Sequence, residues 1–289
     1  MARKKPATTH GIAVVDKPTG VTSHDVVGML RQRFNERQVG HGGTLDPSAT
    51  GVLVVAVGKA TKLLRFVEKT KKAYLGEIVL GTETDTLDAD GDITATYDMT
   101  GVTLEDAQAI VAERFLGEIE QIPPMVSAIK IGGKRLHELA REGIEVDRPP
   151  RPVTIYSFQL MPTDEPHVLL AAVECSSGTY IRTLAADLGT LLGGGAHLRN
   201  LRRTAVGRFT IGEAQAPDDC ELLPVEEAVR TLDRIDISRD LAELVANGRV
   251  LPAFEGNGPW ALFDPDGSLV AVYEAFGGEA KPAVVVPQN

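Results

Sequence analysis

Apolar positions along the chain recur at two periods, and the changes from one to the other divide the sequence into predicted strands and helices. Gly11-Ile12-Ala13-Val14-Val15-Asp16 is a short apolar run that ends at the turn Lys17-Pro18-Thr19-Gly20, which predicts a strand. Thr22 or Ser23 then caps a predicted helix whose Val26, Val27, Leu30 and Phe34 fall on one face, with Arg31, Arg33 and Arg37 toward its end. Val52 to Val57 has no polar interruption, the pattern of a buried strand. In Lys71 to Leu80 the composition again predicts a strand, with Tyr74 and Ile78 on one face. Thr103 opens a predicted helix to about Phe115, with Leu104, Ala107, Ile110 or Val111, and Phe115 inward. His167 to Cys175 reads as a buried strand, followed by the turn Ser176-Ser177-Gly178 and a helix to about Gly189. From about Thr231 the composition changes to a polar, acidic connection, one short helix from Leu241 to Asn247, and β-like segments joined by Asp264-Pro265-Asp266-Gly267. The expected organisation is α+β: a basic flexible tail over residues 1–10, a large domain over 11–231 and a small β-rich domain over 232–289.

Composition narrows this picture. With 289 residues, 43% of them apolar and 24% charged, the chain can bury a large core, and a soluble globular protein is expected. No apolar run approaches the roughly 20 residues that span a bilayer, and Met1 to His10 carries basic residues without an apolar signal core, so no membrane partner and a cytoplasmic location are expected. Cys175 and Cys220 are too few for a disulfide framework and have no Cys or His at metal-ligand spacing, so no metal is expected. The net charge of −10, taken as a whole, disfavours nucleic acid, but the charge is segregated. Residues 1–72 hold 13 Lys and Arg against 5 Asp and Glu, a net +8, and residues 179–212 are net +4. Residues 73–127 are net −11 and residues 213–289 net −10. The basic segments are also those with the candidate chemistry, as expected if they face a phosphate backbone.

That chemistry centres on Gly40-His41-Gly42-Gly43-Thr44-Leu45-Asp46-Pro47-Ser48-Ala49-Thr50-Gly51, a lone carboxylate between a glycine-rich approach and the Val52–Val57 strand. Pro47 biases Asp46 toward extended backbone and removes an amide donor, which places the carboxylate on a loop. Chemistry alone leaves two readings of Asp46, a turn cap or a reactive group. Tyr74 is a core tyrosine or an aromatic platform, Arg182 an ion-paired half-buried side chain or a site residue, and Leu201 core or pocket lining. Thr82 to Asp92 carries acids at two-residue spacing but lacks the late glutamate and flanking helices of a calcium loop, and reads as a turn-rich loop. Gly193-Gly194-Gly195 and Gly58-Lys59 both fail as phosphate-binding loops.

The run Gly-His-Gly-Gly-Thr-Leu-Asp-Pro-Ser-Ala-Thr-Gly resembles the catalytic motif of the TruB family of pseudouridine synthases. Asp16-Lys17-Pro18-Thr19-Gly20, Lys72-Ala73-Tyr74, Thr84-Asp85-Thr86-Leu87-Asp88, Gln121 to Gly143, Gly178-Thr179-Tyr180-Ile181-Arg182 and Leu201-Arg202-Arg203 resemble further family motifs in family order, so the resemblance covers roughly residues 11–212. Family members often have tyrosines where this chain has Val126, Ile131 and His137, and a Thr or Ala is commoner where this chain has Gly42 after His41. The resemblance implies a mixed, mainly antiparallel sheet in a catalytic domain of pseudouridine-synthase type, with a PUA-like domain at the C-terminal end. It also implies the activity: isomerisation of uridine to pseudouridine at position 55 in the T loop of tRNA, by a base-flipping, cofactor-free enzyme expected to act as a monomer on the T stem-loop, with a secondary role as a tRNA-folding chaperone. Asp46 is then the catalytic residue, acting at C1′ either as nucleophile or by abstracting a 2′ proton. His41 reorganises the T loop, Tyr74 stacks on the base, Arg182 pairs with Asp46, and Leu201 lines the uracil pocket. Lys17, Lys62, Lys130, Lys134, Arg202 and Arg203 are candidate contacts to the RNA backbone. Two other classes compete: a non-catalytic RNA-binding protein on the same scaffold, which intact Asp46, Tyr74 and Arg182 disfavour, and a metal-dependent hydrolase built on His41 and Asp46, which lacks a third ligand at motif spacing.

Overall fold

The structure, a computed structural model, describes residues 7–127, 130, 131, 133–136, 139, 142–144 and 146–287. They form two compact units, one of the described residues within 1–47, 51–70 and 206–289 and one of those within 48–50 and 71–205.

In the first unit, Gly11–Lys17 runs antiparallel to Thr50–Val57, from Gly11 opposite Val57 to Lys17 opposite Gly51, and Val39–His41 pairs antiparallel with the end of the same strand. The uninterrupted apolar run Val52–Val57 has a simple cause: successive side chains point to opposite faces, and each face meets its own core. Leu53, Val55 and Val57 join Val26, Val27 and Leu30 of the helix Ser23–Arg33. Val52, Val54 and Ala56 join Leu63, Phe66 and Val67, Phe209 and Val225, and Ala261, Phe263, Leu269 and Val272 from the last strands. Residues 233–285 build a five-stranded sheet, ordered Asp233–Asp236, Trp260–Phe263, Leu269–Phe276, Glu279–Val285 and Leu251–Pro252, one face of which contributes to the core of the first strands. Its other face holds Trp260, Leu262, Ala271 and Tyr273 against Val245 of the helix Arg239–Ala246. Of the expected basic tail, residues 1–6 lie outside the described residues, but Thr8 and His10 are anchored, which corrects a tail mobile to residue 10. The Thr8 amide donates to Glu36 Oε2 at 3.1 Å, and His10 Nδ1 accepts from the Lys59 amide at 3.2 Å.

The second unit is a sheet in the order Ala196–Val206, Lys72–Leu80, Val168–Cys175, Arg151–Pro162, Gly117–Gln121, and its pairings from Lys72–Leu80 to Gly117–Gln121 are antiparallel. The helix Leu104–Arg114 begins at Thr103, whose hydroxyl and Asp106 carboxylate exchange capping bonds, and buries Ala107 and Val111. Phe115 and Phe158 pack edge to face at 5.7 Å. No helix among the described residues is long and apolar enough to cross a membrane.

Both cysteines are buried and free, and loss of hydration pushes the Cys175 thiol up to about 11 and raises that of Cys220 as well. A thiolate is the reactive form, so neither cysteine is expected to react with a disulfide reagent such as DTNB at pH 8 in the native protein, and both are expected to react in denaturant. Rapid labelling of the native protein would contradict the burial.

Candidate active site

Asp46 lies on the loop between Val39–His41 and Thr50–Val57, half-buried, and the backbone on each side of it is fixed. Before it, the Ser23 hydroxyl accepts from the Leu45 amide at 2.9 Å and lies 3.2 Å from the Leu45 carbonyl oxygen. After it, the Pro47 carbonyl accepts from the Gly20 amide at 2.9 Å and from Lys17 Nζ at 3.0 Å. The turn Lys17-Pro18-Thr19-Gly20 and the capped start of the next helix therefore serve one purpose, which is to hold three consecutive residues around a carboxylate. The glycines upstream permit the close packing: a Cβ on Gly42 would stand 3.0 Å from Val67 Cγ1, and Gly43 has φ of 115°, a conformation side chains rarely adopt. His41, half-buried, ends the strand that leads into this loop.

Lys17 corrects an expectation. It is fully buried, and its ammonium donates to the carbonyls of Pro18, Val21 and Pro47 at 2.8, 2.7 and 3.0 Å. Such an ammonium cannot reach a phosphate, and its role is to shape the Asp46 loop. Arg203, at 1% exposure, is likewise an interior side chain and leaves the set of backbone contacts. Lys62 is exposed on the 3-10 turn Gly58–Leu63, and Arg202 is half-buried with Nη1 3.2 Å from the Thr50 hydroxyl. Lys130 and Lys134 belong to the short paired strands Lys130–Ile131 and Lys134–Arg135, and their side chains lie outside the described residues.

Tyr74, Arg182 and Leu201 belong to the second unit. Tyr74 is buried on the face of its strand shared by Lys72, Gly76, Ile78 and Leu80. Gly76 lets the neighbouring strand come close: a Cβ there would stand 3.1 Å from Leu198 Cδ1 and 3.3 Å from Leu201 Cδ1. Leu201 therefore packs over the residue next but one to Tyr74, on the same face. Arg182 is in the first turn of the helix Ile181–Leu191, whose start at Tyr180 is not capped by that residue's own side chain. Buried Gln121 supplies the anchor instead, accepting from the Tyr180 amide at 2.7 Å and donating to its carbonyl at 3.0 Å. Arg182, at 3% exposure, donates from Nη1 to the Thr86 carbonyl and from Nη2 to the Val126 carbonyl, both at 2.8 Å. Its Nη1 also lies 3.3 Å from Asp88 Oδ2.

Asp88 is a site residue that sequence reasoning missed. It is one of several acids in the Thr82–Asp92 loop, and spacing alone does not separate it from the others; what distinguishes it is burial beside the guanidinium, with a side chain only 15% exposed. A buried arginine with two carbonyls and a carboxylate on its fork is a rigid electropositive group with its orientation set from three sides.

Comparison with known proteins supplies the family. Residues 31–181 match the model described as TruB family pseudouridylate synthase (N terminal domain), residues 182–234 the tRNA pseudouridylate synthase B C-terminal domain, and residues 232–287 the tRNA Pseudouridine synthase II C-terminal model. The tRNA pseudouridine synthase B of Mycobacterium tuberculosis is 43% identical over 289 residues, covering 97% of each chain. That of Streptomyces coelicolor is 45% identical over 298 residues, covering 98% of this chain and 99% of its own. Among solved structures, a chain of a Cbf5-Nop10-Gar1 complex superposes with a TM-score of 0.71 at 28% identity, over 92% of this chain and 78% of that one. With matched family models along residues 31–287 and relatives this similar over almost their whole length, the chain belongs to the TruB family of pseudouridylate synthases.

Proposed function

We propose that this chain, as a TruB-family enzyme, isomerises uridine to pseudouridine at position 55 in the T loop of tRNA. The observation that carries the reading is the Asp46 loop, a half-exposed carboxylate whose neighbours Leu45 and Pro47 are each pinned through backbone atoms. A carboxylate held in this way is suited to act at one atom of a bound nucleotide. The target uridine leaves the loop stack and enters the pocket, where Tyr74 stacks on the base and Leu201 packs against its ring. His41 occupies space left by the flipped nucleotide and helps reorganise the T loop. Asp46 acts at C1′, either as nucleophile or by taking a 2′ proton. The C1′–N1 bond breaks, the base turns, C1′–C5 forms, the C5 proton is lost and N1 gains one. Atoms and charge balance within one nucleotide, so the reaction consumes no redox, metal or energy cofactor. Arg182 pairs with Asp46 and, through its contact with Asp88, keeps a fixed orientation. Lys62, Lys130, Lys134 and Arg202 meet the RNA backbone. Residues 11–231 form the catalytic domain and 232–289 a PUA-like domain; the enzyme works as a cytoplasmic monomer and also assists tRNA folding.

The test is a T-arm RNA hairpin carrying tritium at uracil C5. Release of one tritium per hairpin at the position-55 uridine is expected. Tight binding with no release would overturn the enzyme reading and favour a non-catalytic RNA-binding protein.

A further inference from the structure

The Arg182–Asp88 contact depends on how Asp88 is held, and the residues that hold it form a compact turn of their own. Thr86 touches both partners. Its carbonyl accepts from Arg182 Nη1 at 2.8 Å, and its hydroxyl donates to Asp88 Oδ1 at 2.5 Å. The same hydroxyl lies 3.3 Å from the Asp88 carbonyl, and since it has a single proton the shorter, charged acceptor takes it. The Asp90 amide adds a second donor to Oδ1 at 3.2 Å, which leaves Oδ2 for the guanidinium. Between Thr86 and Asp88 the chain turns through Leu87 at φ of 63°, a left-handed conformation costly for leucine. Its surroundings enforce it: the Leu87 amide donates to the Thr84 carbonyl at 3.2 Å, the Leu198 amide donates to the Leu87 carbonyl at 3.0 Å, and the Ala89 amide donates to the Leu198 carbonyl at 2.9 Å. Buried Thr84 closes the turn, its hydroxyl donating to the Asp88 carbonyl at 2.7 Å. Gly91 packs directly under it, where a Cβ would collide with Asp85 Oδ1 and Thr86 Oγ1.

We propose that Thr86 is a positioning residue for the isomerisation: its hydroxyl fixes the Asp88 carboxylate in the orientation that meets Arg182. The inference rests on the function proposed above. A turn that stores backbone strain to bring a carbonyl and a carboxylate onto one guanidinium nitrogen is preorganised for that contact, and the hydroxyl is what selects the carboxylate rotamer.

The experiment compares wild type, Thr86→Val and Thr86→Ser on the tritiated hairpin. Valine keeps the shape and removes the hydroxyl; serine keeps the hydroxyl and removes the methyl. Thr86→Val is expected to lower kcat about 10- to 100-fold with KM within about twofold, and Thr86→Ser to stay within about threefold of wild type. If Thr86→Val does not fold, Thr86→Ala enters the same comparison with the same expectations. Wild-type kcat in the hydroxyl-free variant, or a serine variant as impaired as the valine one, would overturn the inference. A wild-type protein that binds the hairpin and releases no tritium would instead overturn the function reading, and this inference with it.

Discussion

Asp46→Asn is expected to abolish tritium release, lowering kcat by at least about 10³-fold, while hairpin affinity and thermal stability stay near wild type. Asparagine matches aspartate in shape and lacks its charge and basicity, so it can neither attack C1′ nor take a 2′ proton. The loop should survive the change because its described anchors are backbone atoms of Leu45 and Pro47, held by Ser23, Gly20 and Lys17. This prediction separates two roles that the sequence leaves open for Asp46. A residue that only caps a turn would, when replaced, lower stability and activity together, with a change in Tm of several degrees for each about 1–2 kcal/mol lost. A catalytic carboxylate lowers kcat alone. Retention of activity within tenfold would exclude both proposed chemistries at C1′.

The parts of the molecule legible in the sequence are those where one local rule acts without interference. The helix starts at Thr22 and Thr103 are visible because a threonine three residues before an acid closes a capping box by local bonding, and both boxes form. The strand Val52–Val57 is visible because apolar residues on both faces leave no polar break. The inner face of the helix Leu104–Arg114 selects Val111 and not Ile110, a choice between adjacent positions that only the facing sheet determines. Of the strands that escaped notice, the two longest each contain a break in the period of two. Arg151–Pro162 has a register shift between Ile155 and Ser157, which moves later side chains to the other face. Ala196–Val206 is interrupted by Asn200 at φ of 53°, its side-chain Nδ2 donating to Glu77 Oε2 at 2.9 Å. The site divides in the same way. Asp46 and Arg182 stand out by motif, but Lys17 and Arg203 read as surface cations because charge alone says nothing of burial, and the three carbonyls of Pro18, Val21 and Pro47 are what make the interior tolerable for Lys17. Asp88 was hidden by its acidic neighbours, since its partner is 94 positions away in sequence at Arg182.

Arg182→Lys is expected to lower kcat at least about 100-fold and to destabilise the fold by about 1–3 kcal/mol, although the charge is unchanged. The reason is geometric. The guanidinium reaches the Thr86 carbonyl with one terminal nitrogen and the Val126 carbonyl with the other, at 2.8 Å each, and meets Asp88 with the first. An ammonium is one point and cannot occupy both places, so at least one carbonyl loses its donor in a region where Arg182 itself is 3% exposed. Arg182→Met is expected to cost more, about 3–5 kcal/mol, because it leaves the Asp88 carboxylate without its cation. The two effects can be separated by adding Asp88→Asn to Arg182→Met. Removing the orphaned charge should return part of the lost stability, and it should return none of the activity, since the oriented cation is still absent. Denaturant melts and tritium release on the four proteins of this cycle read the two quantities independently. If Asp88→Asn restored activity along with stability, the loss in Arg182→Met would be a folding defect and the proposed role of the guanidinium at the reaction centre would fall.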